Sequence, residues 1–87
     1  MSTEILIIDD NPDIRSILND LIRDAGYETR IAANYNQALI EIDKKLPDVA
    51  IIDVKLDKGD NDGIKLLSHI KSKDKDIPVI IISGHAN

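Results

Sequence analysis

Two hydrophobic periods alternate along the chain. Glu4 to Ile8 (EILII) is an apolar run that ends in Asp9-Asp10, the pattern of a strand buried on both faces. Asn11-Pro12-Asp13 predicts a helix start, with Asn11 as N-cap, Pro12 at a position whose missing N–H has no helical partner, and Asp13 beside the positive end of the dipole. Ile14, Ile17, Leu18, Leu21, Ile22 and Ala25 recur at helical spacing and are expected to form a core stripe. Gly26 closes that helix. Tyr27, Thr29 and Ile31 then alternate with Glu28 and Arg30, which predicts a second, more exposed strand.

The alternation repeats. Asn34 is expected to cap a helix carrying Tyr35, Ala38, Leu39, Ile42 and Leu46 on one side, and Pro47 ends it. Val49 to Asp53 (VAIID) is again a buried run finishing in a carboxylate. A polar stretch from Lys55 to Gly63 leads to a third helix with Ile64, Leu67 and Ile70 inward, and Ile77-Pro78 breaks the pattern. Val79 to Ile82 (VIII) is the last strand, followed by Ser83-Gly84. The order is βαβαβαβ with three of four strands apolar throughout, which predicts an α/β fold: a parallel sheet with right-handed crossovers and helices on both faces.

Composition narrows the class. Eighty-seven residues make one small domain, and an apolar fraction of 43% beside 31% charged is globular rather than disordered. Tyr27 and Tyr35 are the only aromatics, so the core must be aliphatic. A net charge of -5 argues against direct nucleic-acid contact, which favours Lys and Arg. Without cysteine there is neither a disulfide frame nor a thiolate metal site. No basic leader and no apolar run of membrane-spanning length occur, so a cytoplasmic protein with no membrane contact is expected.

The candidate chemistry lies where the strands end. In open parallel sheets, ligands bind outside the carboxyl ends of the strands, at the point where strand order reverses. If the first and third strands are neighbours, Asp9, Asp10 and Asp53 converge on one rim, and Ser83 ends the fourth strand beside them. Like charges so close need a positive partner, and Mg²⁺ fits: it takes oxygen ligands, keeps waters, and commonly bridges carboxylates to a phosphate. Such a site wants a phosphoryl group, and Asp53 is a candidate carboxylate nucleophile.

The runs ILIIDDNPDIR, VAIIDVKL and VIIISGH resemble the receiver domain of two-component response regulators over essentially the whole chain. The resemblance implies a flavodoxin-like doubly wound sheet. Asp9 and Asp10 would be the acidic pair, with Asp10 the more direct Mg²⁺ ligand, Asp53 the phosphoacceptor, the Lys55 backbone carbonyl a further metal ligand and Ser83 the switch hydroxyl. The thirty-residue spacing from Asp53 to Ser83 matches the family. The loop KLDKGDNDG is longer than usual and lacks the family's proline. With GYETRIAAN and ISGHAN it resembles the nitrogen-regulation regulators of the NtrX type, which implies an NtrY-like membrane sensor histidine kinase as partner and a transcriptional output. Against that family, residues 1–87 are expected to form an incomplete receiver, in strand order 2-1-3-4. A fifth strand, its flanking helices and the phosphate-neutralising lysine, about 39 further residues at average element lengths, have no counterpart.

Other readings stand beside this one. Asp10-Asn11-Pro12 alone could be a turn and cap, and Asp53 alone a loop carboxylate; their joint placement with Ser83 favours a site. His69 is expected to face solvent and His85 to lie in a fraying end, with Lys44-Lys45 and the Lys71 to Asp76 charges solvated. Arg15, Asn19 and Arg23 flank the first helix and are expected to remain free for a kinase. The alternative function is a phosphorylation-incompetent interaction fragment that self-associates through an open fourth strand. A flavin or nucleotide binder is disfavoured, because Asp9-Asp10-Asn11-Pro12 puts negative charge where a phosphate loop needs backbone donors.

Overall fold

The computed structural model describes residues 3–53 and 62–82. The expectations placed on Lys55, Ser83 and His85 lie outside those residues. Seven elements follow in the expected order: β1 (Glu4–Ile8), α1 (Pro12–Asp24), β2 (Glu28–Ala32), α2 (Tyr35–Lys44), β3 (Val49–Asp53), α3 (Asp62–Lys73) and β4 (Val79–Ile82). The strands pair in parallel in the order β2-β1-β3-β4. β1 therefore lies between β2 and β3, and the chain reverses its direction of travel across the sheet after β2.

Local chemistry fixes the element ends. The Asn11 side chain accepts from the N–H groups of Asp13 and Ile14 at 2.8 and 3.3 Å, which satisfies donors that the first helical turn leaves open. Gly26, at φ 99°, takes the left-handed conformation that turns the chain out of α1 into β2. Asn34 caps α2 by accepting from Gln37 N–H at 2.8 Å, and the Gln37 side chain accepts from Ala33 N–H.

Alternation in the strands divides the core between two faces. Leu6, Ile8, Ala50 and Ile52 point towards α2 and α3, where they meet Ala38, Ile42, Leu66 and Ile70. Ile5, Ile7 and Ile51 point the other way, towards Leu18 and Ile22 of α1. The two faces are not equally covered. Among the described elements α1 lies alone on its side, and one helix buries one stripe. Ile14, Ile17 and Leu21, expected in the core, are therefore exposed, the last two by 55% and 61%, and Ala25 is an exposed C-cap.

The third helix is also rotated from its expected phase. Gly63, Leu66 and Ile70 are its buried positions, whereas Ile64 is 51% exposed and Leu67 only half-buried. The helix begins at Asp62, and packing against α2 as well as the sheet turns the 63-66-70 stripe inward.

Several charged residues are engaged, among them His69 and Lys71, which were expected to be solvated. Arg30 lies half-buried at the amino ends of the strands, donating to the Glu41 carbonyl and carboxylate at 2.9 and 3.1 Å and to the Lys45 carbonyl at 2.6 Å. Its guanidinium also sits 3.1 Å from Glu4. His69 Nε2 is 3.2 Å from Asp43 Oδ1, which Lys73 approaches at 3.6 Å, so this group ties α3 to α2. The hydrogen bond with His69, then the nearby Lys73, holds the Asp43 carboxyl below its ordinary value despite an opposing desolvation effect. Lys71 donates to the carbonyls of Lys75 and Ile77, closing the turn into β4. Among the described residues, no helix is long and apolar enough to cross a membrane.

The unequal faces make a stability prediction. Leu6→Ala removes a fully buried side chain and should cost about 2–5 kcal/mol. Leu21→Ala, on the uncovered flank of α1, should change stability by about 0.5 kcal/mol or less. Urea denaturation of the two variants checks the difference, and similar losses would contradict the packing described.

Candidate metal and phosphoryl site

Strand register builds the site. Ile8 of β1 is paired with Ile52 of β3 in a parallel ladder, so the next residues, Asp9 and Asp53, stand at the same height at the carboxyl end of the sheet. Both are buried, 3% and 7% exposed, and Asp10 beside them is exposed. One carboxylate oxygen from each of the three lies within 4.8 Å of the other two. The three acids expected to converge do so.

The turn between β1 and α1 holds Asp9 from three sides. Its N–H donates to the Ala32 carbonyl at 3.2 Å, the last hydrogen bond towards β2. Its carboxylate Oδ1 accepts from Asn11 N–H at 2.8 Å. Its carbonyl accepts from the Arg15 guanidinium at 2.8 Å. Arg15 is thus engaged, contrary to expectation, and so is Asn19, whose Oδ1 accepts from the Thr29 hydroxyl at 2.6 Å. Sequence reading missed the Arg15 contact. Its signal was an arginine in the first turn of a helix that starts just after a strand, close enough for a long side chain to reach back.

Burial pushes the Asp9 carboxyl above its ordinary range, against the pull of the Asn11 hydrogen bond; the Asp53 and Asp10 charges raise it further. Asp9 and Asp53 are also close enough for a hydrogen bond between their carboxyl groups, which favours a protonated form. Two ionised groups separated by at most 4.8 Å repel by at least about 3.5 kcal/mol at an effective dielectric near 20. A cation would remove that penalty. The donor set is entirely oxygen and carries up to three negative charges, which suits a hard divalent ion. Lys55 and Ser83, the remaining expected site residues, are outside the described residues.

Comparison with known proteins assigns the class. The model of the response regulator receiver domain matches residues 5–87, and the chain belongs to that family. Receiver domains are signalling domains rather than classical enzymes, and response regulators act with histidine kinases. Within the family, the chain matches the receiver portion of NtrX-type regulators. It is 39% identical over 87 residues to the nitrogen assimilation regulatory protein NtrX of Azorhizobium caulinodans, a match covering all of this chain and 19% of that protein. A crystal structure of NtrX from Brucella abortus in complex with ADP superposes with a TM-score of 0.88 at 38% identity, covering all of this chain and 20% of that one. The sporulation initiation phosphotransferase F of Bacillus subtilis is 40% identical over 85 residues, 98% of this chain and 67% of that protein. The chain thus spans about a fifth of the length of the NtrX relatives.

The strained carboxylate makes a pH prediction. Because the folded-state value of Asp9 is raised above 3.8, its contribution to stability is fully present below that pH and is lost as pH rises through the folded value. Asp9→Asn removes the charge while keeping a carbonyl oxygen to accept from Asn11. Without metal, the variant should gain on the native chain as pH rises from 4 to 7. Urea unfolding at the two pH values checks this. A gap that does not widen with pH contradicts it.

Proposed function

We propose that this chain is a phosphoacceptor switch in which Asp53 receives a phosphoryl group from the phosphohistidine of a sensor kinase, with Mg²⁺ held by Asp9, Asp10 and Asp53. The observation that carries the reading is the convergence of three carboxylates at the ends of two neighbouring parallel strands in a receiver-family chain. A bound Mg²⁺ supplies positive charge where the phosphoryl oxygens and the acids would otherwise repel. An Asp53 carboxylate oxygen bonds to phosphorus as the phosphorus–nitrogen bond breaks, and the imidazole leaves with the electron pair and takes up a proton. Asp53 ends a strand whose neighbours fix it, so the nucleophile is aimed without further ordering. Exposed Asp10 stands on the solvent side of the cluster, where ion and donor must enter. The Lys55 carbonyl would complete the metal ligands, and the Ser83 hydroxyl would report phosphorylation.

The NtrX likeness extends the reading to a cytoplasmic regulator with an NtrY-like kinase as donor and nitrogen-related transcription as output. The test is direct. Incubated with acetyl phosphate and Mg²⁺, the chain should gain the mass of one phosphoryl group; omitting Mg²⁺ or substituting Asp53→Asn should abolish the gain. Undiminished labelling of the Asn variant would place the acceptor elsewhere, and no labelling of the native chain would favour an interaction module that does not accept phosphate.

A further inference from the structure

We propose that Arg15 is a positioning residue of the acidic site, and that its contact with the Asp9 carbonyl sets the affinity of the site for Mg²⁺. The inference rests on the reading of Asp9, Asp10 and Asp53 as metal ligands, and adds to it a residue outside the acidic cluster.

Asp9 is where β1 leaves the sheet. Ile8 is the last residue of β1 paired to both neighbours, and beyond it the Asp9 N–H still reaches the Ala32 carbonyl. The Asp9 carbonyl takes its partner from outside the sheet, from Arg15 Nη1 at 2.8 Å. Because Asp9 is 3% exposed, a carbonyl there needs a protein partner. That carbonyl belongs to the peptide joining Asp9 to Asp10. Fixing its direction fixes the plane from which the Asp10 side chain departs, and the exposed Asp10 depends on that plane to bring its oxygen within 4.8 Å of the other two.

Arg15 is itself placed by the turn it stabilises. Its N–H donates to the Asn11 carbonyl at 3.0 Å, while Asn11 N–H donates to Asp9 Oδ1 and the Asn11 side chain caps Asp13 and Ile14. Asp9, Asn11 and Arg15 thus form a closed circuit of hydrogen bonds. Removing the guanidinium opens the circuit at the contact that a flexible side chain makes to the Asp9–Asp10 peptide. A charged donor makes that contact stronger than a neutral one would.

Charge and position act in opposite directions, which makes the role separable. A guanidinium near the acids repels Mg²⁺, so if Arg15 acted only through its charge, neutralising it would tighten metal binding. If it acts by orienting the Asp9–Asp10 peptide, neutralising it weakens binding. Partners that orient metal ligands are typically worth ten- to a hundredfold in affinity. Arg15→Met keeps the aliphatic stem and helix propensity but loses the donors, and Arg15→Lys keeps a single charged donor.

The experiment is calorimetric titration of Mg²⁺ into the native 87-residue chain and both variants, with amide hydrogen exchange at Asn11 measured without metal. The expected result is a dissociation constant about tenfold higher for Arg15→Met, largely recovered in Arg15→Lys, and faster exchange at Asn11 in the Met variant. Native-like or tighter Mg²⁺ binding by Arg15→Met overturns the positioning role while leaving the metal site standing, and so does unchanged exchange at Asn11. Absence of Mg²⁺ binding by the native chain instead removes the metal reading itself, and the positioning role falls with it.

Discussion

Negative charge gathered in a buried place is the constraint around which this molecule is organised. A parallel sheet brings the carboxyl ends of its strands to one edge, and the β2-β1-β3-β4 order puts β1 and β3 side by side. Two strands that each end in aspartate therefore bring their acids together by topology alone. Nothing about the hydrophobic core requires acids at those positions. The core supplies the rigidity that keeps Asp9 and Asp53 in place although their ionised forms repel, because Leu6, Ile7, Ile8 and Ile52 just inside the rim are fully buried and leave the strands no room to part.

The opposite end of the sheet shows what a structural charge cluster looks like by contrast. There Arg30 lies among Glu4, Glu41 and the Lys45 carbonyl, so acid and base meet inside one network. That cluster ties β1, β2 and the end of α2 together and balances much of its own charge. At the carboxyl end, the arginine is directed to a main-chain carbonyl instead, and burial leaves Asp9 reluctant to ionise. The same strand thus has one end that closes on itself and another whose charge calls for a cation. This difference in electrostatic closure, more than the number of acids, distinguishes a site from a salt-bridge network.

The positions of β1, β3 and β4 were legible because each is a short apolar run bounded by turn residues, and the strands follow those runs residue for residue. Both helix caps were legible for the same local reason, since Asn11 and Asn34 act within three residues of themselves. Helix rotation was not. Six apolar positions on α1 satisfy a helical period, but period cannot tell how many neighbours a helix has, and here Ile17 and Leu21 lie beyond what one face of the sheet covers. The α3 stripe shifted for a related reason: its inward side is set jointly by α2 and the sheet, which no local window contains. The acidic convergence sits between these cases. Each aspartate was visible locally, but their meeting depended on strand order, which came from fold-level rules and family resemblance. Arg15 was misread because a long side chain finds partners far from where its position on an element suggests.

The β1–α1 turn joins folding to chemistry more closely than either alone would require. Asn11 meets the needs of helix initiation with its side chain and orients Asp9 with its main-chain N–H, so the start of α1 and the geometry of the acids are set by one residue. Pro12 reinforces this by fixing the backbone immediately after that N–H, at a position where its own lack of a donor leaves no helical hydrogen bond unmade. A site built on a free loop would have to be ordered each time an ion arrived, at an entropic cost charged against binding. Here the ordering is done when the helix forms, and the hydrophobic burial of Leu18 and Ile22 against the sheet sustains it. The repulsion among the acids is then the principal term left for a cation to offset, which is the condition under which metal binding couples most directly to the state of the site.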